Sequence, residues 1–150
     1  MGFFDKPAHK FFTKEQGEQI IAAIKEAEED TLGEIRVHLE NRCHTKDAFN
    51  RACELYEILE MHKTEEHTGV LIYIAVKDHL FAIYGDPKID EVVPAYFWEH
   101  LIVAMETHFR QKRFLEGVLQ CVEEVGLQFT EHFSTDNRSQ NELPDDISFG

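Results

Sequence analysis

Apolar residues return every third or fourth position between Lys14 and Glu29, where Ile20, Ile21, Ile24 and Ala27 stand out from a charged background. That period predicts an amphipathic helix. Thr13, followed three residues later by Gln16, supplies a capping-box start for it. After a turn at 30–33 the period falls to two. Ile35, Val37 and Leu39 alternate with Arg36, His38 and Glu40, which predicts a strand with one face on the core. Thr45 is placed to cap a second helix, whose apolar stripe of Phe49, Ala52, Cys53, Tyr56 and Leu59 ends near Met61. The run GVLIYIAV at 69–76 is unbroken, too short for a helix and rich in β-branched residues, so it reads as a central strand covered on both faces.

Lys77 and Asp78 allow a tight connection into a strand at 79–85, which makes a hairpin and hence a mixed sheet. Pro94 suits the first turn of a helix reaching Arg110, with Phe97, Leu101, Met105 and Phe109 on its buried stripe. A last helix is predicted over 114–132 from Val118, Cys121, Val122, Val125 and Phe129, and one of its glycines, Gly117 or Gly126, is expected to mark a close helix contact. Helices on either side of a mixed central sheet of about four strands give an α/β fold, a three-layer α/β/α sandwich. The domain is expected over 1–133. Residues 134–150 are expected to be a polar tail or a strap that docks through Leu143, Ile147 and Phe149.

With 150 residues and 43% hydrophobic content, the chain is long enough for one core. A formal charge of −14 disfavours a nucleic acid or an anionic lipid surface as partner and suits a cationic partner or a metal ion. The three cysteines, Cys43, Cys53 and Cys121, have no CxxC spacing and read as reduced thiols. No segment has 18 consecutive apolar residues, and the first residues lack an export signal, so a cytoplasmic protein without a membrane span is expected.

Nucleotide-binding glycine loops, nucleophile elbows, HExxH and EF-hand patterns are all absent. His62 and His67 are too weakly spaced to make a zinc site with the available cysteines. What remains is a set of carboxylates at strand ends: Glu34 before the first strand, Asp78 at the hairpin, and Asp86, Asp90 and Glu91 after Gly85. Carboxylates and loop carbonyls are the hard oxygen ligands that calcium or magnesium takes, whereas Asp is also a common turn and helix-cap residue. Glu34, the loop from Thr64 to Thr68 and the loop from Gly85 to Asp90 are expected to converge at one sheet edge.

The order FFTKEQGEQIIAAIKEAEEDTLGEIRVHLE, HKTEEHTGVLIYIAVKDHLFAIYGD, FWEHLIVAMETHF and GVLQCVEEVGLQFTEHF resembles the TPM domain family over residues 11–133. That family includes a plant thylakoid acid phosphatase, a photosystem repair factor and nematode receptor modulators. The most specific parts are T-x-G-E-I at Thr31 to Ile35, and the glycine-led strand from Gly69 followed by a strand ending in Gly85-Asp86. The resemblance implies an α/β/α sandwich with a divalent cation, calcium or magnesium, where its loops meet. Carried over by position, Glu34, Asp86 and Asp90 are the first ligand candidates, with Glu65 and Asp78 next. Asp78 is also placed to serve the hairpin turn.

The sequence departs from the family in lacking a signal peptide, anchor or Gly-rich tail, which implies a stand-alone cytosolic domain. It also keeps only Gly85, followed by Pro87 and Lys88, of the usual Gly-x-Gly after the hairpin. Two functions follow as expectations. One is a metal-responsive regulatory or interaction module with a protein partner. The other is a metal-dependent acid phosphatase acting on phosphomonoesters. The scarcity of basic residues in the carboxylate loop, Lys88 alone, favours the module.

Overall fold

The computed structural model describes residues 7–63, 66–135 and 147–150. A four-stranded mixed sheet runs β3-β2-β1-β4, from β1 (Gly33–Glu40), β2 (Thr68–Ala75), β3 (Leu80–Gly85) and β4 (Ile147–Phe149). β1 lies parallel to β2 and to β4, while β2 and β3 form the antiparallel hairpin. Helices α1 (Lys14–Glu28), α4 (Phe97–Arg110) and α5 (Phe114–His132) cover one face. Helix α2 (Ala48–Ile58) covers the other, and α3 (Pro87–Asp90) is a single turn beyond β3. This is the three-layer α/β/α sandwich.

The two core layers follow from strand parity. Ile35, Val37 and Leu39 of β1, Val70, Ile72 and Ile74 of β2, and Ile83 of β3 meet the α1/α4/α5 layer. Leu71, Tyr73 and Ala75 of β2 with Ala82 of β3 meet Ala52, Leu55 and Tyr56 of α2 and Met61 beyond it. β2 is therefore apolar on both sides and wholly buried, as an unbroken run requires. Each of its aliphatic side chains contributes roughly 1.5–3 kcal/mol by leaving water. The capping box of α1 is complete: Gln16 N–H donates to Thr13 Oγ1 (3.1 Å), and Thr13 N–H donates to Gln16 Oε1 (3.0 Å). Both glycines of α5 are close contacts. A Cβ built on Gly126 would lie 2.7 Å from Ala27 Cβ, and one on Gly117 would lie 2.9 Å from the Phe109 ring.

Several local expectations are corrected. Asp47, not Thr45, caps α2, accepting from Asn50 N–H at 3.1 Å; Thr45 Oγ1 accepts from the Asp47 N–H and donates to its carbonyl. α4 begins at Phe97, because Pro94 is spent in a preceding turn closed by Phe97 N–H to Pro94 O (3.0 Å). β1 meets protein on both faces, so Glu34, His38 and Glu40 are buried as well as its apolar residues. Apart from these corrections, Ile147–Phe149 of the expected tail or strap forms a strand, β4, in register with Val37–Leu39, and Gly150 N–H donates to Leu39 O (2.9 Å). Leu143 lies outside the described residues.

Candidate functional site

At one end of the sheet the start of β2, the end of β3, and α3 meet the side chain of Tyr56 from α2. Asp86 joins them. Its residue is only 7% exposed, and its two carboxylate oxygens accept from five donors. Oδ1 takes the Thr68 hydroxyl (2.5 Å) and the Lys88 and Ile89 N–H groups (2.9 and 3.3 Å). Oδ2 takes the Gly69 N–H (3.0 Å) and the Tyr56 hydroxyl (3.1 Å). Asp86 thus caps α3, with Pro87 at its first helical position, and ties four chain segments together. Burial first, then the negative charge of Asp86, pushes the Tyr56 phenol well above its ordinary pKa, so it stays a hydrogen-bond donor. Gly69 is required here because a Cβ at that position would stand 2.6 Å from the Tyr56 hydroxyl oxygen.

A cleft of about 300 Å³ opens beside this latch, lined by Cys53, Glu57, His62, Tyr84, Pro87 and Lys88 together with Tyr56 and Asp86. The Cys53 thiol is held above its ordinary pKa by burial and then by Asp47, so it is a poor nucleophile. The Lys88 ammonium is turned onto the His67 carbonyl oxygen at 2.8 Å.

The candidate ligands divide. Glu34 pairs in register with Gly69, on the same sheet face as Asp86 and at the same end, and is 1% exposed. Asp90 is one turn beyond Asp86, exposed, and accepts the Trp98 Nε1–H through Oδ1 at 2.8 Å. Asp78 sits at the opposite end of the hairpin. There it accepts the Cys43 N–H (2.6 Å) and the Arg42 guanidinium (2.8 Å), and these two, the N–H first, hold it below the usual carboxylate range. It ties the hairpin turn to the segment that follows β1. Glu65 lies outside the described residues. Among the described residues no three His, Cys, Asp or Glu side chains gather around a point that could hold a metal ion.

A second polar cluster was not foreseen. On the α2 face of β1, Glu40 accepts from Arg51 Nε (3.0 Å) and Nη2 (2.5 Å) and from the Tyr73 hydroxyl (2.7 Å). Burial opposes its ionisation, but the Arg51 and Tyr73 hydrogen bonds outweigh that and keep its pKa below the ordinary value. His38 shares a hydrogen bond with Ser148 Oγ (2.7 Å), and burial, then Arg51 and Arg36, outweighs nearby Glu40 to lower its pKa to about 4. It is therefore neutral at pH 7, and its 4.0 Å approach to Glu40 is not an ion pair. The only hint in the sequence was the alternation of ionisable residues along a strand that the fold makes central.

A pH dependence follows. Unfolded His38 takes up a proton near its ordinary value of 6.5, while the folded protein resists until about 4. The unfolded state binds more protons across that window, so stability is full above it and falls as pH drops through it, by roughly 3 kcal/mol. Urea midpoints measured across this range should decline toward acid, and His38→Gln should flatten the decline.

The comparisons with known proteins bear on this arrangement. The family model of the TPM domain matches residues 7–128. The chain belongs to the TPM domain family. Among solved structures, this TPM domain is similar to the NMR structure of BA42, a protein from the psychrophilic bacterium Bizionia argentinensis. The two are 40% identical, with a TM-score of 0.84 over 93% of this chain and 96% of BA42. No curated protein matches. Among the described residues no helix is long and apolar enough to cross a membrane.

Proposed function

We propose that this TPM domain is a non-enzymatic interaction module that presents a surface to a protein partner. The observation that supports it is the commitment of Asp86. Five donors occupy a carboxylate with about four lone-pair directions, which leaves nothing to attack phosphorus or to relay a proton. Phosphoryl transfer also needs positive charge at the transferred group, and the Lys88 ammonium, which among the described residues lines the cleft, is held on a backbone carbonyl.

The calcium or magnesium that the family implies does not fit Asp86 in this arrangement, since an ion would have to displace at least one of its donors. For a divalent cation we propose the exposed rim at Asp90, a single carboxylate and so a weak ligand. Neither ion takes part in any step of the proposal.

Hydrolysis of 4-nitrophenyl phosphate tests the reading, with calcium, magnesium or chelator, on the wild type and on Asp86→Asn. The module predicts no cation-dependent turnover in either protein. Turnover that requires the cation and disappears in a folded Asp86→Asn would establish the phosphatase instead.

A further inference from the structure

β4 closes one edge of the sheet against β1, but among the described residues no strand of the sheet lies outside β3 at the other edge. The sequence of β3, LFAIYG, contains no charge and no proline, the devices that ordinarily discourage an edge from pairing with another chain. Its polarity along the edge can be read from the ladder. Asp86 N–H donates to Gly69 O, and the register pairs Tyr84 with Leu71 and Ala82 with Tyr73. Bonded pairs alternate in an antiparallel ladder, so the N–H and C=O groups of Phe81, Ile83 and Gly85 point away from β2.

That edge forms the floor of a groove. At its Gly85 end a cavity of about 320 Å³ has Phe49 and Tyr84 on the α2 side and Trp98 and Ile102 on the α4 side. Walls drawn from both faces of the sheet meet only around the strand edge itself. A second cavity, about 240 Å³, continues along α4 to Phe81 and Phe109 at the Leu80 end. The rim is acidic. Asp90 lines the first cavity, exposed Glu91 and Glu99 are its chain neighbours beside α3 and Trp98, and Glu57 lines the adjoining cleft. Basic side chains there are engaged: Lys88 on a carbonyl, and Arg110, at the far end, on Glu106 (3.4 Å).

We propose that β3 is a docking strand for an extended basic segment of a protein partner. The segment would pair with Phe81, Ile83 and Gly85, set its apolar side chains against Phe49 on one side and Trp98 and Ile102 on the other, and meet the carboxylate rim with Lys or Arg. A second copy of this chain is the wrong occupant on charge grounds. Two molecules of formal charge −14 would oppose the same acidic rims. The proposal rests on the module reading and names its partner class, and it needs no cation.

The test uses the full chain in chelator, so its failure leaves the hydrolysis result untouched. The probe is a nine-residue capped peptide with Val at its three central positions and Lys on both flanks, so that apolar side chains reach both walls, with two controls: Glu in place of Lys, and N-methylation of every residue. Amide hydrogen exchange is followed by NMR. The Lys peptide should slow exchange at Phe81, Ile83 and Gly85 by about tenfold or more, and both controls should lose the effect. Ile102→Lys and Asp90→Lys should each weaken it in a protein whose spectrum is otherwise native. Unchanged exchange at those three amides with the Lys peptide overturns the proposal, even if the peptide binds elsewhere. Protection without peptide, accompanied by a dimer mass in sedimentation, overturns it in favour of a second copy.

Discussion

Replacing Asp86 by alanine is expected to destabilise the fold by roughly 3–5 kcal/mol, seen as a fall of about 10–15 °C in Tm. The size comes from what is stranded. Hydroxyls of Tyr56 and Thr68 and the N–H groups of Gly69, Lys88 and Ile89 all lose their acceptor, most of them away from water. Asparagine should cost less than alanine, because its carbonyl oxygen can still take the donors at one position while its amide faces the remaining two. A carboxylate kept only as a cation ligand behaves oppositely. In a chain of formal charge −14, removing it in chelator would relieve repulsion and leave stability equal or higher. Urea unfolding in chelator separates the two.

The second large effect is at Arg51. Arg51→Met should cost about 3–5 kcal/mol at neutral pH, since Glu40, its side chain 4% exposed, keeps a buried negative charge without its bidentate partner. The deficit should shrink in acid. Without Arg51 the burial of Glu40 raises its carboxyl pKa, so protonation on falling pH relieves the folded state, opposite in sign to the wild-type loss from His38. Adding Glu40→Gln to Arg51→Met should recover much of the stability, because the neutral amide still accepts from Tyr73 and no charge is stranded. A double variant no better than the single would mean that the packing of the Arg51 stem, not its charge, carried the effect.

The parts of this fold that were legible are those set by near neighbours. The Thr13 to Gln16 capping box, the period of α1, the apolar run of β2 and the tight hairpin each announce themselves within a few residues. β4 did not, because three residues in a polar tail carry no period, and only register with Val37–Leu39, more than a hundred positions earlier, makes them a strand. α3 is too short for any helical pattern, and Pro94 drew attention to the wrong first turn. The site was legible as a place and not as a chemistry. Glu34 and Asp86 do share one end and one face of the sheet, as strand order implied. Which donors Asp86 would meet depended on Tyr56, thirty residues away, and on the turn before Gly69, and those contacts decide between a cap and a ligand. The same distance problem hid the Glu40, Arg51 and Tyr73 cluster.

The central claim is that Asp86 is a structural latch closed to other ligands. Calorimetric titration of calcium and of magnesium into chelator-treated wild type and Asp86→Asn tests it most directly, with the fold of both verified by NMR. The latch predicts the same cation affinity, or the same absence of heat, in the two proteins. Binding by the wild type that is abolished in a folded Asp86→Asn would contradict it.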